Sequence, residues 1–160
     1  MFPSRIIPLL VLAFSACVYA GHGADANLAS AETAHGCTLR IHVDGLRNQN
    51  GVVGAAIFKS ADGWPEDMRK ALNHWPTPIP DGAREATALM ENLPPGDYGV
   101  VVIHDENGNQ KLDRNFLGIP KEGFGFANNP HVGLSAAPYH AAIVHVTCPV
   151  TQIAIHLIYK

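Results

Sequence analysis

From Leu39 the chain reads apolar, polar, apolar: Leu39, Ile41 and Val43 alternate with Arg40, His42 and Asp44. A period of two marks a strand with one buried face and one wet face. Similar short runs return at residues 52–59, 83–90, 98–103, 139–147 and 150–159. Turn signals separate them: Asn50-Gly51, Asp81-Gly82 and Pro94-Pro95-Gly96. Strands this short, with turns this dense and no repeating βα unit, predict an all-β antiparallel sandwich of six to seven strands. The Asn50-Gly51 turn predicts that the first two strands pair as a hairpin. Residues 98–103 (YGVVVI) form the most apolar run and are expected at the centre.

Residues 60–82 interrupt the pattern. Pro65 suits a first helical position, and Glu66 and Asp67 suit a first turn. Met68, Ala71, Leu72 and Trp75 follow at i, i+3, i+4 and i+7, so one short helix is expected in this crossover. Trp64 and Trp75 admit two readings. They form an aromatic platform for a ligand or a hydrophobic plug under the crossover, and the plug is the commoner use of such a pair.

The first twenty residues read as a signal peptide and leave the fold argument. Arg5 supplies the positive charge, and residues 6–18 are apolar but shorter than the roughly 20 residues a membrane span needs. Val18-Tyr19-Ala20 places cleavage after Ala20. Phe14-Ser15-Ala16-Cys17 resembles a lipoprotein box, with Cys17 as an acylated N-terminus, although Phe14 stands where Leu is usual. Residues 21–36 read as a flexible leader and 37–160 as a single domain. Without Arg5 the chain carries 10 basic and 14 acidic side chains, a charge of −4. That balance argues against nucleic acid and anionic lipid as partners. Two cysteines remain, Cys37 and Cys148, each just before a predicted strand. In an exported domain they read as a disulfide, against the alternatives of two buried thiols or a metal pair.

Residues 104–129 (HDENGNQKLDRNFLGIPKEGFGFANN) are too polar and glycine-rich for the strand pattern. Asp105, Asn107, Asn109 and Asp113 occupy positions one, three, five and nine of an EF-hand-like loop, and Lys111 offers its carbonyl at position seven. These are ligands for a hard cation such as calcium. Position six is Gln110 rather than Gly, and position twelve is Phe116 rather than a bidentate Glu. Glu122, Glu106 or water would then complete the shell, with affinity near about 10⁻⁴–10⁻³ M. The other reading is a metal-free loop of Asx-turns. Beyond it, Phe124 and Phe126 alternate with glycine. They form a lid over an apolar pocket with Lys121 and Glu122 at its mouth, or they pin the loop to a sheet edge.

The turn Leu93-Pro94-Pro95-Gly96-Asp97-Tyr98 resembles the one before a core strand in transthyretin-like and carboxypeptidase-regulatory-like sandwiches, which implies a prealbumin/immunoglobulin-like fold. The longer pieces LPPGDYGVVVIHDENGNQKLD and NFLGIPKEGFGFANN resemble the signature of a family of exported bacterial proteins, domain of unknown function twenty-one forty-one. The resemblance spans residues 37–159. It implies a small secreted or periplasmic β-sandwich and carries no substrate.

Two functional classes follow. A binding or structural module would present the calcium-ordered loop, with Lys121, Phe124 and Phe126, to an envelope protein, glycan or peptide. A small periplasmic hydrolase or zinc/copper protein would use His104, Asp105 and Glu122, or the strand histidines His42, His140, His145 and His156. No HExxH and no nucleophile elbow is present, and adjacent strand residues face opposite ways, which sets His104 against Asp105. The chain is therefore expected not to be an enzyme.

Overall fold

The computed structural model describes residues 36–133 and 135–160. The signal peptide, the leader up to residue 35 and Cys17 lie outside the described residues. Eight strands follow in order: β1 (Cys37–Asp44), β2 (Val52–Phe58), β3 (Asn73–Pro78), β4 (Ala86–Leu93), β5 (Gly96–Asp105), β6 (Gly123–Phe126), β7 (Ile143–Val146) and β8 (Val150–His156). They form a sandwich. One sheet runs β4-β1-β8; the other runs β3-β2-β5-β6, with β7 pairing the first half of β5.

The alternation read from the sequence builds the space between the sheets. Leu39, Ile41 and Val43 of β1 and Ala88 and Met90 of β4 face Val53 and Ile57 of β2 and Tyr98, Val100 and Val102 of β5, all at most 1% exposed. β5 is central, as its composition predicts, with β2 on one edge and β7 then β6 on the other. Tyr98 is buried whole, and its hydroxyl donates to the Pro94 carbonyl at 2.7 Å, which ties the proline turn to the strand it precedes.

Three local expectations fail. β1 and β2 do not form a hairpin. β1 pairs antiparallel with β4 and parallel with β8, so both its edges are taken. The 45–51 link carries the chain to the other sheet, with Leu46 buried and its N–H on the Arg84 carbonyl. β2 explains the choice, because it is apolar on both faces and needs cover on both: Val53 and Ile57 point inward, Ala56 and Phe58 outward. Gly51, at φ 69°, passes the end of β5 so closely that a Cβ would lie 1.9 Å from the Asp105 carbonyl oxygen.

The helix expected over 65–75 is absent. Residues 61–71 make turns, with Glu66 N–H on the Gly63 carbonyl and Lys70 N–H on the Asp67 carbonyl, and Leu72 N–H then bonds the Ile57 carbonyl of β2. Trp75 and Thr77 each precede a proline, which disfavours the helical region and extends the chain. They fall in β3, an edge strand, where a proline's missing N–H is tolerated. The helical turn that does form is 3₁₀, at Tyr139–Ala142.

Residues 123–126 are a strand despite their glycines. The glycines are needed: a Cβ on Gly123 would meet the Tyr159 ring at 2.5 Å, and one on Gly125 would meet Ile155 at 2.6 Å. β6 thus lies against the end of the chain on one side and turns Phe124 and Phe126 to the other.

Cys37 and Cys148 form the disulfide, with Cα atoms 4.4 Å apart across 111 residues of sequence. The parallel β1–β8 pairing brings both strand starts together, and Thr38 N–H bonds the Pro149 carbonyl beside the bridge. In the chain-entropy description, closing a loop that long contributes roughly 4–5 kcal/mol. Among the described residues, no helix is long and apolar enough to cross a membrane.

Candidate functional site

Three polar side chains are buried among the described residues: His104, Asp105 and Glu122. They organise one end of the sandwich. β5 delivers His104 and Asp105 as its last two residues, and alternation sends them to different partners.

Asp105 turns to the loop. Its two oxygens accept the N–H groups of Asn109 at 3.0 Å and Gln110 at 2.7 Å. Asn107 and Asn109 make Asx-turns, accepting the N–H groups of Asn109 and Lys111. Both their side-chain amides donate to Asp113, at 2.7 and 3.1 Å. Asp105, Asn107, Asn109 and Asp113 are thus linked into one polar cluster. Gln110, at the position where an EF-hand loop has Gly, takes φ 62°, the left-handed turn that Gly normally supplies. Glu122 sits at the base of the loop, where its oxygens accept the N–H groups of Glu106 and Asp113, each at 2.9 Å. Glu106 turns outward to Arg47. The loop thereby gathers two carboxylates and two amide side chains, oxygen donors of the kind a hard cation takes. Among the described residues, no three His, Cys, Asp or Glu side chains gather closely enough to form a metal site by themselves.

His104 turns to the chain's end. Its Nε2 lies 2.9 Å from the Asn50 carbonyl, which can only accept, so Nε2 carries the proton. Its Nδ1 then accepts from the Tyr159 hydroxyl at 2.8 Å, and that hydroxyl accepts the Arg47 N–H. Burial pushes the Tyr159 phenol above its ordinary value, which keeps the donor in place. Arg47 stacks over the Tyr159 ring, bonds the Lys121 carbonyl and holds Glu106 through two contacts of 2.6 and 3.0 Å. The Arg47 hydrogen bonds keep the Glu106 carboxyl below the usual glutamate range. His104 is fully buried and has no ring nitrogen left for a substrate.

Of the strand histidines, His42 pairs with Glu85, His145 with Asp97 and His156 with Asp44, and His140 lies in the 3₁₀ turn rather than on a strand.

A cleft of about 680 Å³ opens on the outer face of the five-stranded sheet. Ala56, Val101, Ile103, Phe124 and Phe126 line its floor. Gly54 stands opposite Ile103 in the pairing of β2 with β5, and its missing side chain leaves the floor low. One wall comes from the crossover, with Pro65, Glu66 and Met68. Another comes from edge strand β3, with His74 and Trp75. A third is the central loop, with Asn109 to Leu112, Arg114, Ile119 and Pro120. Arg114 latches two walls together: its guanidinium bonds Glu66 in the crossover and the Gly118 carbonyl in the loop.

The sequence-predicted residues divide accordingly. Phe124 and Phe126 form the floor of an apolar pocket, not a lid over it. Lys121 and Glu122 do not stand at its mouth. Lys121 is exposed, with its backbone held by Asp113 and Arg47, and Glu122 is buried under the loop. The two tryptophans separate. Trp64 is a plug, edge-on to Phe58 and Tyr139, with its Nε1 on the Ala137 carbonyl at 2.8 Å. Trp75 is 59% exposed and lines the cleft. The pairings of Arg47 with Glu106, His104 with Tyr159 and Glu66 with Arg114 escaped the sequence reading because the partners lie 48 or more residues apart. Gly54 could have been found: a glycine inside an apolar strand marks a missing side chain.

No curated protein and no solved structure matches the chain. The model of one protein family does, over residues 41–154, most of the sandwich. On that match the chain belongs to the bacterial family described as "Uncharacterized protein conserved in bacteria (DUF2141)".

Proposed function

We propose that this chain is an exported binding module of the cell envelope, and that its ligand is a small, largely apolar molecule held in the outer-face cleft. The observation that carries the reading is the cleft itself. Its volume falls within the roughly 300–1,000 Å³ typical of small-molecule sites, and its floor is apolar and built on rigid strands. Export rests on the leader-like start of the sequence and fits a sandwich stapled by one disulfide.

Calcium belongs to the same proposal. Asp105, Asn107, Asn109, Asp113 and the Lys111 carbonyl would hold the ion, with water completing the shell. Asn109 and Lys111 also line the cleft, so a bound ion would stiffen a wall of the binding site. Side-chain oxygens already hold the N–H groups of Glu106, Asn109, Gln110, Lys111 and Asp113, which makes the ion a stabiliser of an existing shape and its affinity modest.

The test uses N-phenyl-1-naphthylamine, a neutral dye that brightens on leaving water. The native domain should take it up. Ile103→Trp, which places a large ring on the cleft floor, should abolish uptake while the melting temperature stays near the native value. Uptake unchanged in the Ile103→Trp protein would overturn the cleft reading. For calcium, the melt is compared in EDTA and in excess calcium. A gain of about 2.7 kcal/mol is expected at a hundred times the dissociation constant, and the Asp105→Ala/Asp113→Ala protein should lack it. Identical melts with and without calcium would remove the metal and leave a self-sufficient loop.

A further inference from the structure

The charges around the cleft are unequal. Asp105, one of its acidic residues, is 1% exposed, and its two oxygens accept loop N–H groups, so its charge is held within the loop. Glu66, the other, is matched by Arg114. Lys111 and Lys160 also line the cleft, from the central loop and from beyond β8, and both are exposed. Among the described residues, no carboxylate pairs with either. Lys160 donates one of its three N–H bonds to the Val132 carbonyl at 2.9 Å. Lys111 is fixed at its backbone by Asn109, so its base is anchored while its ammonium remains in solvent. In a chain whose formal charge is −3, the side chains that line this apolar cleft include three cations (Lys111, Arg114 and Lys160) against two carboxylates (Glu66 and Asp105).

We propose that the cleft selects a small apolar molecule with one anionic head, a fatty-acid-like or aryl carboxylate, whose body lies on the Gly54–Ile103 floor and whose carboxylate is read by Lys111 and Lys160. The inference rests on the reading of the cleft as a binding site and adds the class of ligand. A neutral apolar molecule would fill the floor but leave both ammonium groups to water. A cationic one would meet like charge, since the one exposed carboxylate is already engaged. Lysine suits the task because its ammonium sits on a flexible apolar stem that can cover the ligand while the charge stays wet.

The experiment displaces bound N-phenyl-1-naphthylamine with decanoate and, in parallel, with decan-1-ol, which has the same chain and no charge. Decanoate should displace the dye at about fivefold lower concentration, the size of one or two solvent-exposed charge contacts. In Lys111→Met/Lys160→Met, where the stems remain and the charges go, the ratio between the two competitors should fall to about one. High salt should shrink the preference in the native protein. Both substitutions are on the surface, so folding is not at stake. Dye uptake with equal displacement by the two competitors would overturn the anion assignment and leave the cleft reading intact. So would a decanoate preference that survives the double substitution. A native protein that takes up no dye would overturn the cleft reading itself.

Discussion

The two faces of the five-stranded sheet are made from the same strands and do different work. Inward, Val53, Ile57, Val100 and Val102 meet a second sheet and are enclosed to within about nothing. Outward, Ala56, Val101, Phe124 and Phe126 pack in a second apolar cluster with Phe58, Val132, Ala137 and Ala142, covered by the crossover, the 3₁₀ turn and the central loop, and a cavity stays open beside it. A sheet faced by another sheet can interdigitate side chain by side chain. A sheet faced by a long crossover and a polar loop cannot, because the covering backbone must satisfy its own hydrogen bonds first. The inner face therefore reads as stability and the outer as a site.

The largest effect should come from the staple of the inner face. Cys37→Ala/Cys148→Ala should lower stability by up to about 4–5 kcal/mol, read by denaturant melts, with dye uptake retained under conditions where the protein stays folded. Next comes one matched truncation on each face. Ile57→Ala removes a side chain that is 0% exposed and should cost about 3 kcal/mol. Ile103→Ala, on a half-buried position above open space, should cost about 1 kcal/mol or less and act chiefly on dye affinity. If the two cost the same, the outer face is as tightly packed as the core and the contrast fails.

The inner face was readable in advance, because period-two alternation is local and burial between sheets needs nothing else. β1, β7 and β8 emerged from it, β2 and β5 emerged as short apolar runs between turn signals, β4 as a strand of modest propensity, and the cysteines pointed to the bridge. Pairing was less readable. Asn50-Gly51 does mark a turn, but nothing local says whether a turn returns a strand to its own sheet or passes it to the other. The outer face was harder again. Met68 and Ala71 do pack inward as a helical period suggests, yet Pro76 and Pro78 pull the rest of that period into an edge strand. In 123–126 the glycines looked like loop signals, while their role is to admit Tyr159 and Ile155. The polar loop was legible as a cluster of oxygen side chains, and its spacing placed Asp105 and Asp113 correctly within one network. Glu122 reads in the sequence as a closing carboxylate for the loop, but its hold on the Glu106 and Asp113 N–H groups was not legible, nor was Arg47, which reaches Glu106 across 59 residues.

A smaller test asks which face owns the polar seam at the end of β5, where Arg47 holds Glu106 beside His104 and Tyr159. The Glu106 carboxyl is depressed below its ordinary value of 4.5, chiefly by its hydrogen bonds from Arg47. A depressed acid stabilises the fold at pH above its unfolded value, and that contribution is lost as pH falls through the lower folded value. Arg47→Met should therefore destabilise the protein more at pH 7 than at pH 3, with the pH-dependent part under about 1 kcal/mol because the pair is partly exposed. A pH-independent part should remain, from the lost stacking on Tyr159 and the lost bond to the Lys121 carbonyl. If dye affinity stays constant while stability tracks pH in this way, the seam belongs with the enclosed frame. If affinity moves with it, the seam reaches through the 105–113 loop to the cleft wall, and the division between a stable inner face and a functional outer face stops short of this end of the sandwich. A loss equal at both pH values would assign the value of Arg47 to stacking and backbone contact, and none of it to the Glu106 charge.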